Sequence, residues 1–290
     1  MEDTISPTDW SHLCLPAPLS RALASLGFEK PTPVQERVLQ IERSKSAPTT
    51  SEQGWSGTQA DADDQNRKRD IVGIAQTGSG KTLAYGLPVL TSIYTEKYES
   101  KLAALILTPT RELALQVRKA LANLAWHASG QSTDSDHYVN VIALTGGMSI
   151  EKQKRQLSRS GGPDIIVSTP GRLWDLISDD DDLARSIKRM RFLVIDEADR
   201  MIENGHFREM ELILRLTRRA EKDDNAYQDD FATSTTSLDR LPARADMRTL
   251  VFSATMSREL QKNLKKGNRR IKPGRPDDSM SSLGASLQRS

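Results

Sequence analysis

The chain has 290 residues, with 41 lysines and arginines against 39 aspartates and glutamates, and a formal net charge of +2. This near balance excludes binding of nucleic acid through net charge alone, so a polyanion would need a local basic patch. Hydrophobic residues make up only 37% and aromatic residues 5%, so some segments are expected to add little to a core. The single cysteine, Cys14, excludes an internal disulfide. We interpret it as a small buried residue in a reducing compartment.

Short apolar runs alternate with helical patterns along the chain, which is typical of β-α-β units and a parallel sheet. The predicted strands are Asp70–Ile74, Ala103–Thr108, Val139–Leu144, Asp164–Ser168, Phe192–Asp196 and Thr249–Ser253. The predicted helices are Lys81–Tyr94, Arg111–His127, Ser149–Ser158, Arg172–Ile177 and His206–Arg219, with one more beginning near Ser257. We therefore predict an α/β fold with an open, mostly parallel sheet and helices on both faces. Ligands of such sheets bind at the carboxyl ends of the strands.

Polar segments predict the domain boundaries. An N-terminal segment, 1–42, leads into a flexible polar insertion at 43–69, which has almost no large apolar residue. The α/β domain then spans 70–260, with a polar loop at 221–246, and a basic, serine-rich tail at 261–290 is predicted to be disordered. No apolar stretch is long enough to span a bilayer. We expect a soluble, intracellular protein that does not bind a membrane.

A glycine-rich loop follows the first predicted strand and opens a helix. Its sequence is Ala75-Gln76-Thr77-Gly78-Ser79-Gly80-Lys81-Thr82. Glycines allow consecutive backbone N–H groups to wrap a phosphate, and the helix N-terminus adds partial positive charge. Lys81 would reach the β and γ phosphates, and the Thr82 hydroxyl would bind Mg²⁺. The alternative is a glycine-rich turn with a solvated lysine, but the strand-loop-helix context favours a nucleoside triphosphate site.

Acidic residues follow the fifth predicted strand, where a phosphate loop needs a carboxylate for its magnesium ion. Asp196 suits the water shell of the metal, and Glu197 can orient and polarise the attacking water. Together with Lys81, these two residues form the predicted catalytic set. The alternative is an acidic N-cap of the next helix, and the phosphate loop favours the catalytic interpretation.

With these residues the sequence resembles the DEAD-box ATP-dependent RNA helicases, because Asp196-Glu197-Ala198-Asp199 spells the motif that names the family. Residues 27–35 are similar to the family's adenine-reading segment. The resemblance implies that Gln35 reads the adenine edge and that Phe28 packs on the base, which favours ATP over GTP. The same stretch is also typical of a helix start, with Thr32 as N-cap and Pro33 as the first helical residue. These two interpretations are compatible.

Further motifs of the family occur in the family's order after successive strands. They imply that RNA is held as a single strand through its backbone, since the residues suit phosphates and carry no base code. The implied RNA contacts are Pro109, Thr110, Arg111, Gly146, Gly147, Thr169, Pro170, Gly171 and Arg172. Asp199, Ser253 and Thr255 resemble residues that link hydrolysis to strand separation. Each of these motifs alone is typical of an ordinary turn. The resemblance depends on their occurrence in the family's order after successive strands.

Residues 200–207 resemble a branch of nucleolar DEAD-box proteins implicated in assembly of the large ribosomal subunit. That resemblance implies pre-ribosomal partners and a location in the nucleus or nucleolus. The family uses two RecA-like domains, and the second supplies arginines that stabilise the transferred phosphoryl group. No such domain is recognised after Ser257. Two functions therefore stay open: the first half of an RNA helicase, feeble alone, or a truncated ATP- and RNA-binding module without turnover.

Overall fold

A computed structural model describes residues 10–46, 70–76, 78–96, 101–133, 138–159, 161–203, 207–218 and 247–255. Within these residues it contains one parallel sheet with the strand order β1-β6-β5-β2-β4-β3. The strands are β1 Ile71–Ile74, β2 Ala104–Leu107, β3 Val141–Leu144, β4 Ile165–Ser168, β5 Phe192–Ile195 and β6 Arg248–Ser253. Each overlaps a predicted strand, so the predicted parallel sheet is confirmed.

The helices pack in layers against this sheet. A 3₁₀ turn at Trp10–Leu13 precedes the helices α1 Ala17–Ser25, α2 Pro33–Ser46, α3 Lys81–Thr95, α4 Arg111–Ala128, α5 Ile150–Leu157, α6 Pro170–Ile177, α7 Asp181–Arg189, α8 Ala198–Glu203 and α9 Phe207–Arg218. Helix α1 packs on α4, and α2 packs on α3, whereas α9 packs on α6 and α7. Two separate helix layers therefore cover the two faces of the sheet.

The inner strands are buried on both faces. Ala104 and Ile106 of β2 belong to the core that includes residues of α1, α3 and α4. Their neighbours Leu105 and Leu107 point to the opposite face and are also fully buried. Parallel strands covered on both faces need continuous apolar sequence, which explains why these strands were recognisable as unbroken apolar runs.

Several features of the structure differ from the sequence-based expectations. Helix α2 continues to Ser46, so the predicted start of the insertion at residue 43 is wrong. An ion pair between Glu42 and Arg248 joins the C-terminal part of α2 to β6. Helices α1 and α7 were not predicted. Helix α7 begins after Asp180, whose carboxylate caps Leu183 N at 3.0 Å.

Cys14 also differs from the expectation, because its side chain is exposed and not buried. It follows the 3₁₀ turn with φ 52°, a left-handed conformation that ends the turn at the surface. The rest of the predicted insertion (47–69), the polar loop at 221–246, the tail at 261–290 and the helix near Ser257 lie outside the described residues. None of the helices that the structure describes is long and apolar enough to cross a bilayer.

Gly73→Ala in β1 tests how tightly the sheet packs beneath the glycine-rich loop. A Cβ atom at Gly73 would lie 2.6 Å from the ring of Phe252, which is itself fully buried against Tyr85. Because neither ring has room to move, we expect the free energy of unfolding to fall by about 1–3 kcal/mol. Urea unfolding followed by circular dichroism measures this change in the free energy of unfolding. Gly171→Ala is the control, since its Cβ would meet nothing within 4 Å; equal stability of both variants would contradict this packing.

Candidate nucleotide site and neighbouring strand-end surface

The sheet order sorts the candidate residues into two groups, although they are interleaved in the sequence. All strands are parallel, so their carboxyl ends share one edge of the sheet. The loops after β1, β6 and β5 carry residues 75–82, 253–255 and 196–199. The loops after β2, β4 and β3 carry residues 109–111, 169–172 and 146–147. The structure thus places the nucleotide candidates on one half of the edge and the RNA candidates on the other.

The glycine-rich loop has the backbone conformations that its glycines permit. Gly78 and Gly80 have φ values of 84° and 89°, in the left-handed region that glycine adopts without strain. A Cβ on Gly80 would also lie 2.4 Å from the side-chain nitrogen of Gln35. Position 80 therefore requires glycine both for its backbone and for the close approach of Gln35. Thr77 lies outside the described residues.

Polar atoms around this loop are buried without partners. Thr32 Oγ1, Ser79 Oγ and Lys81 Nζ have no hydrogen-bond partner among the residues that the structure describes, and Lys81 is only 7% exposed. Buried polar groups are normally hydrogen-bonded, and a buried unpaired ammonium is costly. An anion with several acceptor oxygens would satisfy all three groups. The loop therefore fits the phosphates of a nucleotide.

Asp196 is buried beside this loop, and each of its carboxylate oxygens is held by one hydrogen bond. Oδ1 accepts from the backbone N–H of Glu197 at 3.0 Å, and Oδ2 accepts from the hydroxyl of Tyr85 at 2.9 Å. Burial raises the pKa of Asp196, while the Tyr85 hydrogen bond and the Lys81 charge oppose that rise. A carboxylate offers about four lone-pair sites, so acceptor capacity remains for the water shell of a magnesium ion.

Glu197 is 5% exposed and has φ 53°, a conformation that costs a non-glycine residue about 1–3 kcal/mol. Its Oε2 accepts a hydrogen bond from Arg200 Nη1 at 2.9 Å. The Arg200 side chain is 60% exposed. The left-handed backbone thus turns the Glu197 carboxylate to an arginine at the surface of α8. Motif spacing gave no role to Arg200 or to Tyr85, and both were missed by the sequence analysis.

Gln35 joins the start of α2 to the glycine-rich loop. Its Oε1 accepts from the backbone N–H of Thr32 at 2.8 Å, and its Nε2 donates to the Gly80 carbonyl at 3.0 Å. The first bond is half of a capping box, and with α2 beginning at Pro33 it confirms the predicted helix start. The amide still has one N–H and one lone pair. Those are the groups that reading an adenine edge requires.

Phe28, the other candidate for base contact, is 42% exposed. Its carbonyl accepts a hydrogen bond from the Trp10 indole at 2.7 Å. Trp10 is buried in the core, so it fixes the backbone of Phe28 while the Phe28 ring stays open to solvent. An exposed aromatic ring on a fixed backbone is available for stacking on a base.

On the other half of the edge, Arg111 brings two predicted RNA-contact loops together. A Cβ on Gly146 would lie 3.1 Å from the Arg111 guanidinium, and one on Gly147 would lie 2.7 Å from it. The missing side chains of these glycines let the guanidinium lie across the loop after β3. Arg172 is close to the same loop, with Nη2 at 3.5 Å from the Met148 carbonyl. The two arginines therefore flank one loop and form a local basic surface.

The remaining candidates for RNA contact differ in their exposure and in whether their polar groups already have hydrogen-bond partners. The Thr110 hydroxyl accepts from Leu113 N at 3.2 Å, which caps α4. Thr169 precedes α6 without a side-chain cap. Pro109 and Pro170 are buried, and Gly171 is partly exposed. The two prolines therefore shape their loops, while the hydroxyl of Thr169 and the backbone at Gly171 remain suited to a phosphate.

Asp199 connects the end of β5 to the end of β6. Its Oδ2 accepts from the Thr255 N–H at 3.1 Å and from the Thr255 hydroxyl at 2.7 Å. The Ser253 hydroxyl bonds back to the Thr255 carbonyl. Burial opposes ionisation of Asp199, but hydrogen bonds from Thr255 hold its pKa below the ordinary value. The three predicted coupling residues thus form one hydrogen-bonded cluster.

Asp199→Asn tests this cluster through the pH dependence of stability. A lowered pKa in the folded state means that ionised Asp199 stabilises the fold above the ordinary value of 3.8. That contribution is lost as the pH falls through the lowered value. At pH 7 we expect the variant to lose about 1–2 kcal/mol of unfolding free energy, and the difference to narrow below pH 4. Asp175→Asn, at an exposed site, should stay within about 0.5 kcal/mol of the parent. A pH-independent loss would contradict the ionised cluster.

The chain is similar in sequence to proteins that are about three times as long. The chain is 38% identical over 288 residues to the ATP-dependent RNA helicase mak5 of Sclerotinia sclerotiorum, covering 96% of this chain and 31% of that protein. It is 36% identical to the DEAD-box ATP-dependent RNA helicase 13 of Arabidopsis thaliana, covering 93% of this chain and 31% of the relative. The chain therefore spans about a third of the length of these curated relatives.

The fold agrees with these sequence relatives. The crystal structure of the yeast DEAD-box splicing factor Prp28 matches with a TM-score of 0.63 and 29% identity, over 91% of this chain and 50% of that one. The sheet is thus that of a RecA-like domain. The sequence profile described as DEAD/DEAH box helicase matches residues 58–263, which include the glycine-rich loop, Asp196 and Thr255. The chain belongs to the DEAD/DEAH box helicase family.

Proposed function

We propose that this chain is the ATP-binding RecA-like part of an ATP-dependent RNA helicase. The observation that carries the proposal is the buried Lys81 ammonium, which has no hydrogen-bond partner among the described residues and lies in the phosphate loop. Both relatives described above are named as ATP-dependent RNA helicases. The absence of a partner for Lys81 is understandable if a phosphate supplies one.

Different residues of the loop, together with Asp196, would bind the phosphates of ATP and the Mg²⁺ ion. Ser79 and Lys81 would donate to the phosphates, and Thr82 and Asp196 would hold the metal through its water shell. When bound, magnesium neutralises charge on the β and γ phosphates. The fixed carboxylate of Asp196, held at both oxygens, would keep this arrangement from reorganising during the reaction.

Glu197 would orient the attacking water and accept its proton. Its carboxylate is buried, and its Oε2 accepts a hydrogen bond from Arg200. A second candidate function follows from that contact: a nucleotide- and RNA-binding module in which Arg200 keeps Glu197 occupied and turnover does not occur. Addition of a second RecA-like domain, which would supply arginines opposite Lys81, distinguishes the two candidates.

The base would be read by Gln35, whose remaining N–H and lone pair match the adenine edge, and Phe28 would stack on it. This assignment supports ATP over GTP. On the neighbouring half of the edge, Arg111, Arg172 and the Thr169 hydroxyl would hold the backbone of single-stranded RNA. Motion at the phosphates would reach this surface through the Asp199–Thr255 cluster. The resemblance of residues 200–207 to a nucleolar branch supports pre-ribosomal particles as partners and a nucleolar location.

Glu197→Gln tests the chemical step. The amide keeps the shape of the side chain but cannot accept the proton of water. We expect ATP binding to be unchanged and phosphate release, measured with RNA and an added second RecA-like domain, to fall about 100-fold or more. Glu203→Gln is the matched control, because Glu203 is exposed at the end of α8 and should leave phosphate release unchanged. Equal rates in the Glu197 variant and the parent would remove Glu197 from its assigned role.

Arg111→Ala tests the RNA surface. Because the contact is to phosphate, the variant should weaken binding on all sequences alike and reduce the slope of log K against log salt by about 1. Fluorescence anisotropy with single-stranded oligonucleotides at several salt concentrations measures both effects. Arg185→Ala is the control, since Arg185 contacts Asp182 on α7, away from the strand-end edge. A loss confined to one RNA sequence, or an equal loss in the control, would contradict the proposed surface.

A further inference from the structure

Tyr85 lies on the same helix as one candidate magnesium ligand, Thr82, and bonds to the other, Asp196. It follows Thr82 by three residues and Lys81 by four on α3, so all three side chains share one face of the helix. Its hydroxyl donates to Asp196 Oδ2 at 2.9 Å. One phenol hydroxyl therefore joins the helix that carries Lys81 and Thr82 to a carboxylate at the end of β5.

The ring of Tyr85 is fixed by packing. It is fully buried, and its centroid lies 5.4 Å from that of Phe252 with the planes inclined by 55°. Phe252 in turn lies so close to Gly73 that a Cβ there would be 2.6 Å from its ring. Residues of β1 and β6 thus hold the ring, and the hydroxyl is presented to Asp196 from a rigid support.

Removal of this hydroxyl would release one side of the Asp196 carboxylate. Oδ1 would still accept from the Glu197 N–H, but a single bond at one oxygen leaves the carboxylate plane free to turn. Groups that hold a metal-binding side chain from behind contribute strongly to metal affinity although they do not touch the metal. Tyr85 occupies that position relative to Asp196.

We propose that Tyr85 is a positioning residue that orients the Asp196 carboxylate for the magnesium ion of the bound nucleotide. The proposal rests on the proposed function, because it concerns the same site. It assigns to Tyr85 no contact with the nucleotide itself. The effect of the hydroxyl should therefore depend on magnesium and should disappear when Asp196 cannot bind it.

Tyr85→Phe in the 290-residue chain tests the proposal, with a fluorescent N-methylanthraniloyl derivative of ATP as the probe. The magnesium concentration for half-maximal binding should rise about 10-fold, while binding in excess EDTA and binding at saturating magnesium should stay unchanged. Tyr94→Phe is the matched control: it removes a buried phenol hydroxyl from the same helix, about 13 Å farther along the helix axis. It should leave the magnesium requirement at the parent value.

The Asp196→Asn background separates positioning from general damage. There, Tyr85→Phe should produce no further change in the magnesium requirement, because the two side chains act as one unit. An unchanged magnesium requirement in Tyr85→Phe would overturn the proposal, and so would an equal loss of binding in EDTA. If the parent chain binds the probe but the variant matches it, only this inference fails. If the parent does not bind the probe with magnesium, the proposed function fails and this inference fails with it.

Discussion

A buried ammonium next to a buried carboxylate is the constraint on which the rest of this site depends. Lys81 is 7% exposed and Asp196 is 3% exposed, and the lysine charge lowers the pKa that burial raises at Asp196. Neither group would be stable in an apolar interior without partners. The Glu197 N–H and the Tyr85 hydroxyl hold the Asp196 carboxylate, while the Lys81 ammonium has no hydrogen-bond partner among the described residues.

The order of the strands determines which candidate residues lie next to this buried pair. Strand β6 lies between β1 and β5, so the end of β6 meets both the glycine-rich loop and the acidic motif. Asp199 accepts two hydrogen bonds from Thr255, which bridges adjacent strand ends. Strand β2 pairs with β5 and begins the half of the edge that carries the RNA candidates. Its loop, which contains Arg111, therefore lies next to the acidic motif along the same edge.

Much of the fold and most candidate positions could be predicted from sequence, because the information is local. Inner strands such as β2 are continuous apolar runs, since both of their faces are covered. The loop at 75–82 was recognisable because its glycines, lysine and threonine stand at the spacing of a phosphate-binding loop. Helix α7 was missed because its N-cap, Asp180, lies in a run of aspartates that is equally typical of a loop.

Contacts between distant segments could not be predicted in this way. The bond between Tyr85 and Asp196 joins residues 111 positions apart, and it depends on the packing of Tyr85 on Phe252. Arg200 is near Glu197 in sequence, but their contact depends on the left-handed backbone of Glu197, which no motif specifies. The resemblance implied roles for Gln35 and Arg111, and the structure adds the hydrogen-bond partners of Gln35 and the two glycines beside the Arg111 guanidinium.

Calorimetric titration of the chain with ATP in the presence of magnesium, alongside Lys81→Ala, tests the central claim most directly. If the buried ammonium is the phosphate partner, the parent should bind ATP with 1:1 stoichiometry, and the variant should bind at least about 10-fold more weakly. A variant that binds ATP as tightly as the parent would contradict the account, because the phosphates would then be held by groups other than Lys81.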